Sequence, residues 1–289
     1  MERAGLGVSP RRAAWAAGVH AALATARMRL ITISRYPGQL TVDIFIPIVF
    51  ASMPILLGRA AAGESAQANF LRHTGSGNYV GYMLLGSSVF MVVTYAFWLI
   101  AYWLRWEQET GTLESLYLTP TSRLWMVAGV SSYSALRALA TGSAAYLIGS
   151  WIYGSNPWQG DLIVAGLFVL VGLVPLFGMT LIFGAVILRV KEANALVGLM
   201  QWVVTLLMGT FFPVAVFPPL MRVAALLFPP TWMVNGVRAA LLGVDYYFGA
   251  WYADWAVLWG FLLIAPLLGA WAFASAERSL RRHEGLGEF

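Results

Sequence analysis

The sequence contains no cysteine, a single lysine (Lys191) and three histidines (His20, His73 and His283) among 289 residues. The missing cysteine excludes disulfides, thiolate metal sites and cysteine nucleophiles, and carries no information about compartment. Charge is scarce too, at 11% of residues, where an ordinary soluble domain has about 25%. Together with 60% hydrophobic residues and a mean hydropathy of +0.72, this excludes a soluble fold, because a core of this size has no room for so much apolar surface. No stretch fits the phosphate-cradling Walker A loop, so the chain is not expected to hydrolyse ATP by itself. The histidines lie outside the apolar runs, and no nucleophile–base pair or metal cluster is visible. Catalytic, cofactor-binding and metal-ligating residues are therefore not expected.

What the sequence does have is six apolar runs, at about 40–58, 78–104, 124–153, 162–188, 193–212 and 255–275. Each is long enough to cross a hydrocarbon core of about 30 Å. The expected architecture is all-α and polytopic: residues 1–39 form a tail and an interfacial helix, 40–275 a six-span domain, and 276–289 a second tail. The net charge of +5 is carried almost wholly by arginine. Thirteen of the 18 basic residues fall on one side: six in the first 39 residues, then Arg105, Arg123, Arg189, Lys191, Arg278, Arg281 and Arg282. That side is read as cytoplasmic, with both termini on it, in a multi-pass protein of the cell membrane. Arginine in this placement marks membrane flanks and not nucleic-acid binding.

In the N-terminal stretch Trp15, Val19, Leu23, Ala26, Leu30 and Ile33 share one side of a helical wheel, with His20, Arg27, Arg29 and Arg35 around the rest. This is the pattern of an amphipathic helix lying in the interface, broken by Pro37 and Gly38 before the first run. The external segment 213–250 is apolar but cut by Pro213, Pro218, Pro219, Pro229 and Pro230 into helices too short to span. A re-entrant hairpin, closed by Gly243 as a helix cap, and an amphipathic loop lying on the membrane both fit. Asn235 and Arg238, three apart on one side of its second helix, are candidates for contact with cargo or lipid headgroups. Gly166, Gly172, Gly178 and Gly184 recur every six residues, which advances a helix by about 240°, so they serve close packing on several sides.

The sharpest local signal is EQETGTLESLYLTPTSR, from Glu107 to Arg123, within the cytoplasmic connection 105–123. Gly111 breaks the preceding helix and Thr112 caps a new short one. Leu113, Leu116 and Tyr117 form an i, i+3, i+4 apolar patch beside Glu107, Glu109 and Glu114, and Thr119 and Pro120 stop the helix. A short helix of this kind suits docking into a groove on a partner. A merely solvated loop is the plainer alternative.

This pattern resembles the cytoplasmic signature of the membrane subunits of type-2 ABC exporters, the group that includes antibiotic-resistance and nodulation-factor export permeases. The interfacial N-terminal helix, the six runs, the proline-rich hairpin ending FPPTWMVNGVRAALLG and the tail ERSLRRHEGLGEF are similar as well. The resemblance implies a permease working with two copies of a nucleotide-binding ATPase subunit and a second permease, identical or paralogous, among membrane lipids. ATP and magnesium would reside on the partner subunit, with no cofactor on this chain. Coupling would run through Glu107, Glu109, Gly111, Thr112, Leu113, Glu114, Leu116, Tyr117, Thr119, Pro120 and Arg123. Trp15, Val19, Leu23, Arg27 and Leu30 of the N-terminal helix would form the other wall of contact. The implied function is ATP-driven export of an amphipathic or lipid-linked substrate: drug, lipid or glycan.

Two intramembrane charges stand apart. Arg137 lies about 20 Å along the third run, near mid-membrane, where a charge is costly and either functional or paired with a neighbouring span. Asp43 lies one turn inside the first run, facing the cytoplasmic interface. Trp202 on the fifth run is a candidate for packing or pathway surface. The competing class is an ion-coupled secondary transporter or channel, which calls for acidic or polar residues deep in several spans. The runs offer Arg137 and little else.

Overall fold

The computed structural model describes residues 10–63, 65–109, 123–187, 190 and 193–283. Among these the regular structure is entirely helical. In chain order the α-helices are α1 (Pro10–Ser34), α2 (Pro37–Ala62), α3 (Ser65–Thr74), α4 (Tyr79–Glu109), α5 (Arg123–Tyr153), α6 (Leu162–Ile187), α7 (Ala193–Leu207), α8 (Pro219–Leu226), α9 (Pro229–Leu242) and α10 (Trp251–His283). A short 3₁₀ turn, Val214–Val216, precedes α8. Proline sets several starts: Pro37, Pro219 and Pro229 open α2, α8 and α9, where the missing N–H costs no hydrogen bond. Gly243 closes α9 as the sequence indicates, in the left-handed region at φ 68°, with its N–H on the Ala239 carbonyl.

Each of the six apolar runs becomes one helix, but not six equal ones. Among the described residues, four helices are both long and apolar enough to cross a membrane: α2, α6 and the stretches Tyr79–Trp98 of α4 and Trp251–Ala276 of α10. With 31 residues α5 is long enough, but serines, threonines and Arg137 dilute its hydropathy. α7 has only 15 residues, about 22 Å. The structure also adds α3, a short amphipathic helix after α2 that the apolar runs did not reveal.

α4 is the central post. Its apolar window is 89% buried, against 22–39% for the other three, and α2, α5, α6, α7 and α9 all pack on it. The most extensive pairing is α6 with α10, and glycine makes it possible. A Cβ on Gly178 would lie 2.2 Å from the Ala265 carbonyl carbon, and one on Gly269 would lie 2.2 Å from the Gly178 oxygen, so the two backbones touch. The six-residue glycine spacing resolves as expected into different sides, with Gly172 against Met233 of α9, Gly178 against α10 and Gly166 facing open space.

Candidate functional site

Two cations, one mostly buried and one fully buried, organise the interior of the helical bundle. The first is Arg137 of α5. Its Nε donates to Oδ2 of Asp43 on α2 at 2.7 Å, and a second nitrogen completes the ion pair. Tyr95 of α4 donates its hydroxyl to the other carboxylate oxygen, and its ring lies 5.5 Å from the guanidinium carbon. Ser134 of α5 reaches back to the Tyr95 carbonyl. Three helices are thus tied through one carboxylate. Asp43 does not face an interface as the sequence suggested. It is 3% exposed, because α2 begins at Pro37 and carries residue 43 beyond the first turn into the bundle. The partnered arrangement answers the energetic problem of Arg137, since a charge in this setting is tolerated when an opposite charge and hydrogen bonds meet it.

The second cation is Arg238 of α9, 1% exposed and paired with carbonyls. Its guanidinium donates to the carbonyl oxygens of Gly209 at 2.9 Å, of Tyr82 at 3.1 and 3.2 Å, and of Thr210. It also stacks on the Tyr82 ring at 3.5 Å. The acceptors at 209 and 210 follow the end of α7, where a helix leaves carbonyls without intrahelical donors and carries partial negative charge. Two more α9 side chains do the same work: Thr231 donates to the Leu207 carbonyl at 3.1 Å and Trp232 to the Leu226 carbonyl at 2.7 Å. In a medium without water these are the groups that must be satisfied from within the protein. Gly86 makes room for the arrangement, since a Cβ there would sit 1.9 Å from the guanidinium and 2.0 Å from the Thr210 oxygen.

Every residue of α9 is buried, from Pro229 to Leu242, whereas α8 exposes Leu220 and Val223, and Leu227 just beyond it is exposed too. Asn235 donates to the Asp245 carbonyl at 3.2 Å. Neither Asn235 nor Arg238 lies on an exposed surface; Arg238 staples α4 and the end of α7 to the hairpin, and Asn235 ties α9 to the segment that follows it. Trp202 is 71% exposed on α7, beside Leu199 and Leu206, while α2 presents Phe45, Val49, Met53 and Leu56. The sequence could not have found the Arg238 cradle, whose acceptors are backbone carbonyls distant along the chain.

α1 lies along the start of α5. Gly18 and Ala22 face it, with a Cβ on Gly18 falling 2.3 Å from the Trp125 indole nitrogen and one on Gly129 falling 2.3 Å from the Ala22 oxygen. Trp15 meets Trp125 edge to face at 5.9 Å. The apolar side read from the sequence is left largely uncovered: Trp15, Leu23 and Leu30 are exposed, Arg27 is exposed, and Val19 is half-buried. Glu107 and Glu109 fall in the last turn of α4 and Arg123 opens α5. Gly111, Thr112, Leu113, Glu114, Leu116, Tyr117, Thr119 and Pro120 lie outside the described residues. No group of three or more His, Asp or Glu able to hold a metal occurs among the described residues.

At the end of the bundle bearing the hairpin, a polar cleft of about 780 Å³ is lined by Arg59, Gln67, Asn78, Ser155, Asn156 and Gln159, among others. Asn78 joins it to the α5 end by donating to Ser155 at 3.1 Å. Long apolar helices around a buried central helix, with internally paired charges, define a multi-pass membrane protein. Residues 15–242 match the family description "ABC-2 type transporter", and the chain belongs to that family, a transmembrane permease of ABC transporters. No curated protein matches the chain.

Proposed function

We propose that this chain is the transmembrane subunit of an ATP-driven exporter, carrying an amphipathic or lipid-linked substrate outward and driven by a separate ATPase subunit docked at residues 105–123. The observation that carries the reading, beside the family match, is the continuity of α4 and α5. Each has 31 residues, about 46 Å of helix, and they lead from the two sides of that connection into the buried centre. A push delivered between Glu109 and Arg123 reaches the Asp43–Arg137–Tyr95 cluster without crossing a flexible joint, and α1 braces the start of α5.

On this reading α2, α4, α5, α6, α7 and α10 are the six spans and both termini are cytoplasmic. α8 and α9 form a re-entrant hairpin on the outer side, supported by the burial of the whole of α9. The uncovered faces of α2 and α7 meet a second permease. An ion-coupled mechanism is less well supported, since Asp43 is neutralised by Arg137, and Asp254 accepts the backbone N–H groups of Tyr247 and Phe248 at 2.8 and 2.9 Å.

The test is reconstitution of the chain with its co-isolated ATPase in vesicles, measuring outward movement of candidate amphiphiles. Transport should require ATP. Transport sustained by an ion gradient with no ATP would overturn the reading.

A further inference from the structure

α5 packs on α1, α2 and α4, and α6 packs on α4, α9 and α10, while α5 and α6 share core side chains through Val127, Val130, Leu181 and Ala185 and stand apart nearer the hairpin. The gap between them is a cavity of about 300 Å³, at the small end of the roughly 300–1,000 Å³ typical of ligand pockets. Its floor is Leu85, Val89 and Val92 of α4 with Met233 and Val237 of α9, and Tyr146 and Val169 stand on its walls. Its rim is different. Ser143 and Leu147 of α5, Trp158 of the connecting turn and Leu162 of α6 are exposed, and they continue into the outward apolar surface of the same helices at Ile148, Trp151, Ile163 and Leu170.

We infer that this gap is a binding site for one acyl chain of a bilayer lipid. The lining is almost wholly aliphatic and aromatic, so water gains too few hydrogen bonds to stay. An empty cavity of this size forfeits dispersion contacts in proportion to its volume. The only apolar filler at high concentration beside the rim is the hydrocarbon of the membrane. The cavity lies at the hairpin end of the bundle, in the outer leaflet on the orientation proposed above. It is separated by the buried α4 from the uncovered faces of α2 and α7. The chain held there is consequently a resident lipid that cements α5 to α6 and α9, and not cargo in transit.

Gly166 makes the site testable. It lines the cavity, and a Cβ added there meets no atom within 4 Å, so Gly166→Leu directs a side chain into the space from a position that has room for it. The full chain is reconstituted in vesicles of dioleoyl phosphatidylcholine doped with a phosphatidylcholine carrying a mid-chain diazirine, without ATPase or cell lipid. After photolysis the crosslinked residues are mapped. The wild type should be labelled at Tyr146 and Val169, inside the cavity, as well as at lipid-facing Ile163 and Leu170. Gly166→Leu should lose the first set and keep the second, and Ser143→Phe, which closes the rim, should do the same. Equal labelling of the first set in wild type and both variants would overturn the inference. So would a wild type labelled only at Ile163 and Leu170, or one labelled in the cavity only after cell lipid extract is added, which would point to a cargo-like ligand.

Discussion

Arg137 and Asp43 are 94 residues apart in sequence and share a hydrogen-bonded ion pair inside the bundle, with Tyr95 holding the remaining carboxylate oxygen. Removing one partner leaves an uncompensated buried charge, which costs about 3–5 kcal/mol, whereas removing both is far milder. Asp43→Asn and Arg137→Gln should each lower the apparent unfolding temperature of the purified protein in lipid nanodiscs. The double variant should recover most of the loss. Additive losses would mean that the pair contributes no coupling.

The Arg238 cradle makes a separate prediction. Arg238→Ala strands the carbonyls of Gly209 and Thr210, a cost on the order of 2–6 kcal/mol for two buried acceptors. Gly86→Ala forces a methyl into the same space. Both should destabilise the fold and raise protease cleavage within 209–228, and Arg238→Lys should rescue only partly because an ammonium lacks the guanidinium fork. Wild-type resistance in Arg238→Ala would contradict the stapling role.

For the contact between α1 and α5, Gly18→Leu and Gly129→Leu place side chains where Trp125 and the Ala22 carbonyl already lie. Membrane insertion should be normal, but a cysteine pair replacing Trp15 and Trp125, whose rings meet across the contact, should be bridged by a bifunctional thiol reagent in the otherwise cysteine-free parent and not with Gly129→Leu added. Undiminished crosslinking would show that α1 does not need this approach.

Hairpin burial is checked by single cysteines, which are clean probes here. Val223→Cys, on exposed α8, should react rapidly with a membrane-impermeant maleimide added from outside, and Val234→Cys, on buried α9, slowly. If the hairpin roofs a pathway, the rate at Val234→Cys should change when ATP is trapped on the complex. Equal, state-independent rates at both positions would describe a surface loop, and reaction only from the cytoplasmic side would reverse the topology.

Much of the helical layout was legible in the sequence because apolar length is a local property. Each apolar run became one helix, and Pro37, Pro219, Pro229 and Gly243 punctuate the chain as their backbone chemistry requires. α3 escaped because a short, weakly apolar helix leaves no run to detect. The charges were legible only in part. Arg137 announced itself by position, but its pairing with Asp43 depends on how three helices meet. Arg238 was a candidate for contact with cargo or headgroups because a helical wheel shows which residues share a side and not what that side touches. The fully buried α9 resolves this, and the acceptors it serves are main-chain atoms without a sequence signature. The apolar cavity between α5 and α6 depends on how two distant helices diverge over part of their length, which no single segment encodes.

The central claim is that this permease is driven through the connection between α4 and α5. The most direct measurement is ATP hydrolysis and substrate export by the complex isolated on a tagged chain, compared between wild type and the triple variant Glu107→Lys, Glu109→Lys, Glu114→Lys. The wild type should bring down a P-loop ATPase and export in step with hydrolysis. The triple variant should insert equally well and then lose the ATPase or hydrolyse without exporting. Unchanged co-isolation and unchanged export per ATP in the triple variant would contradict it.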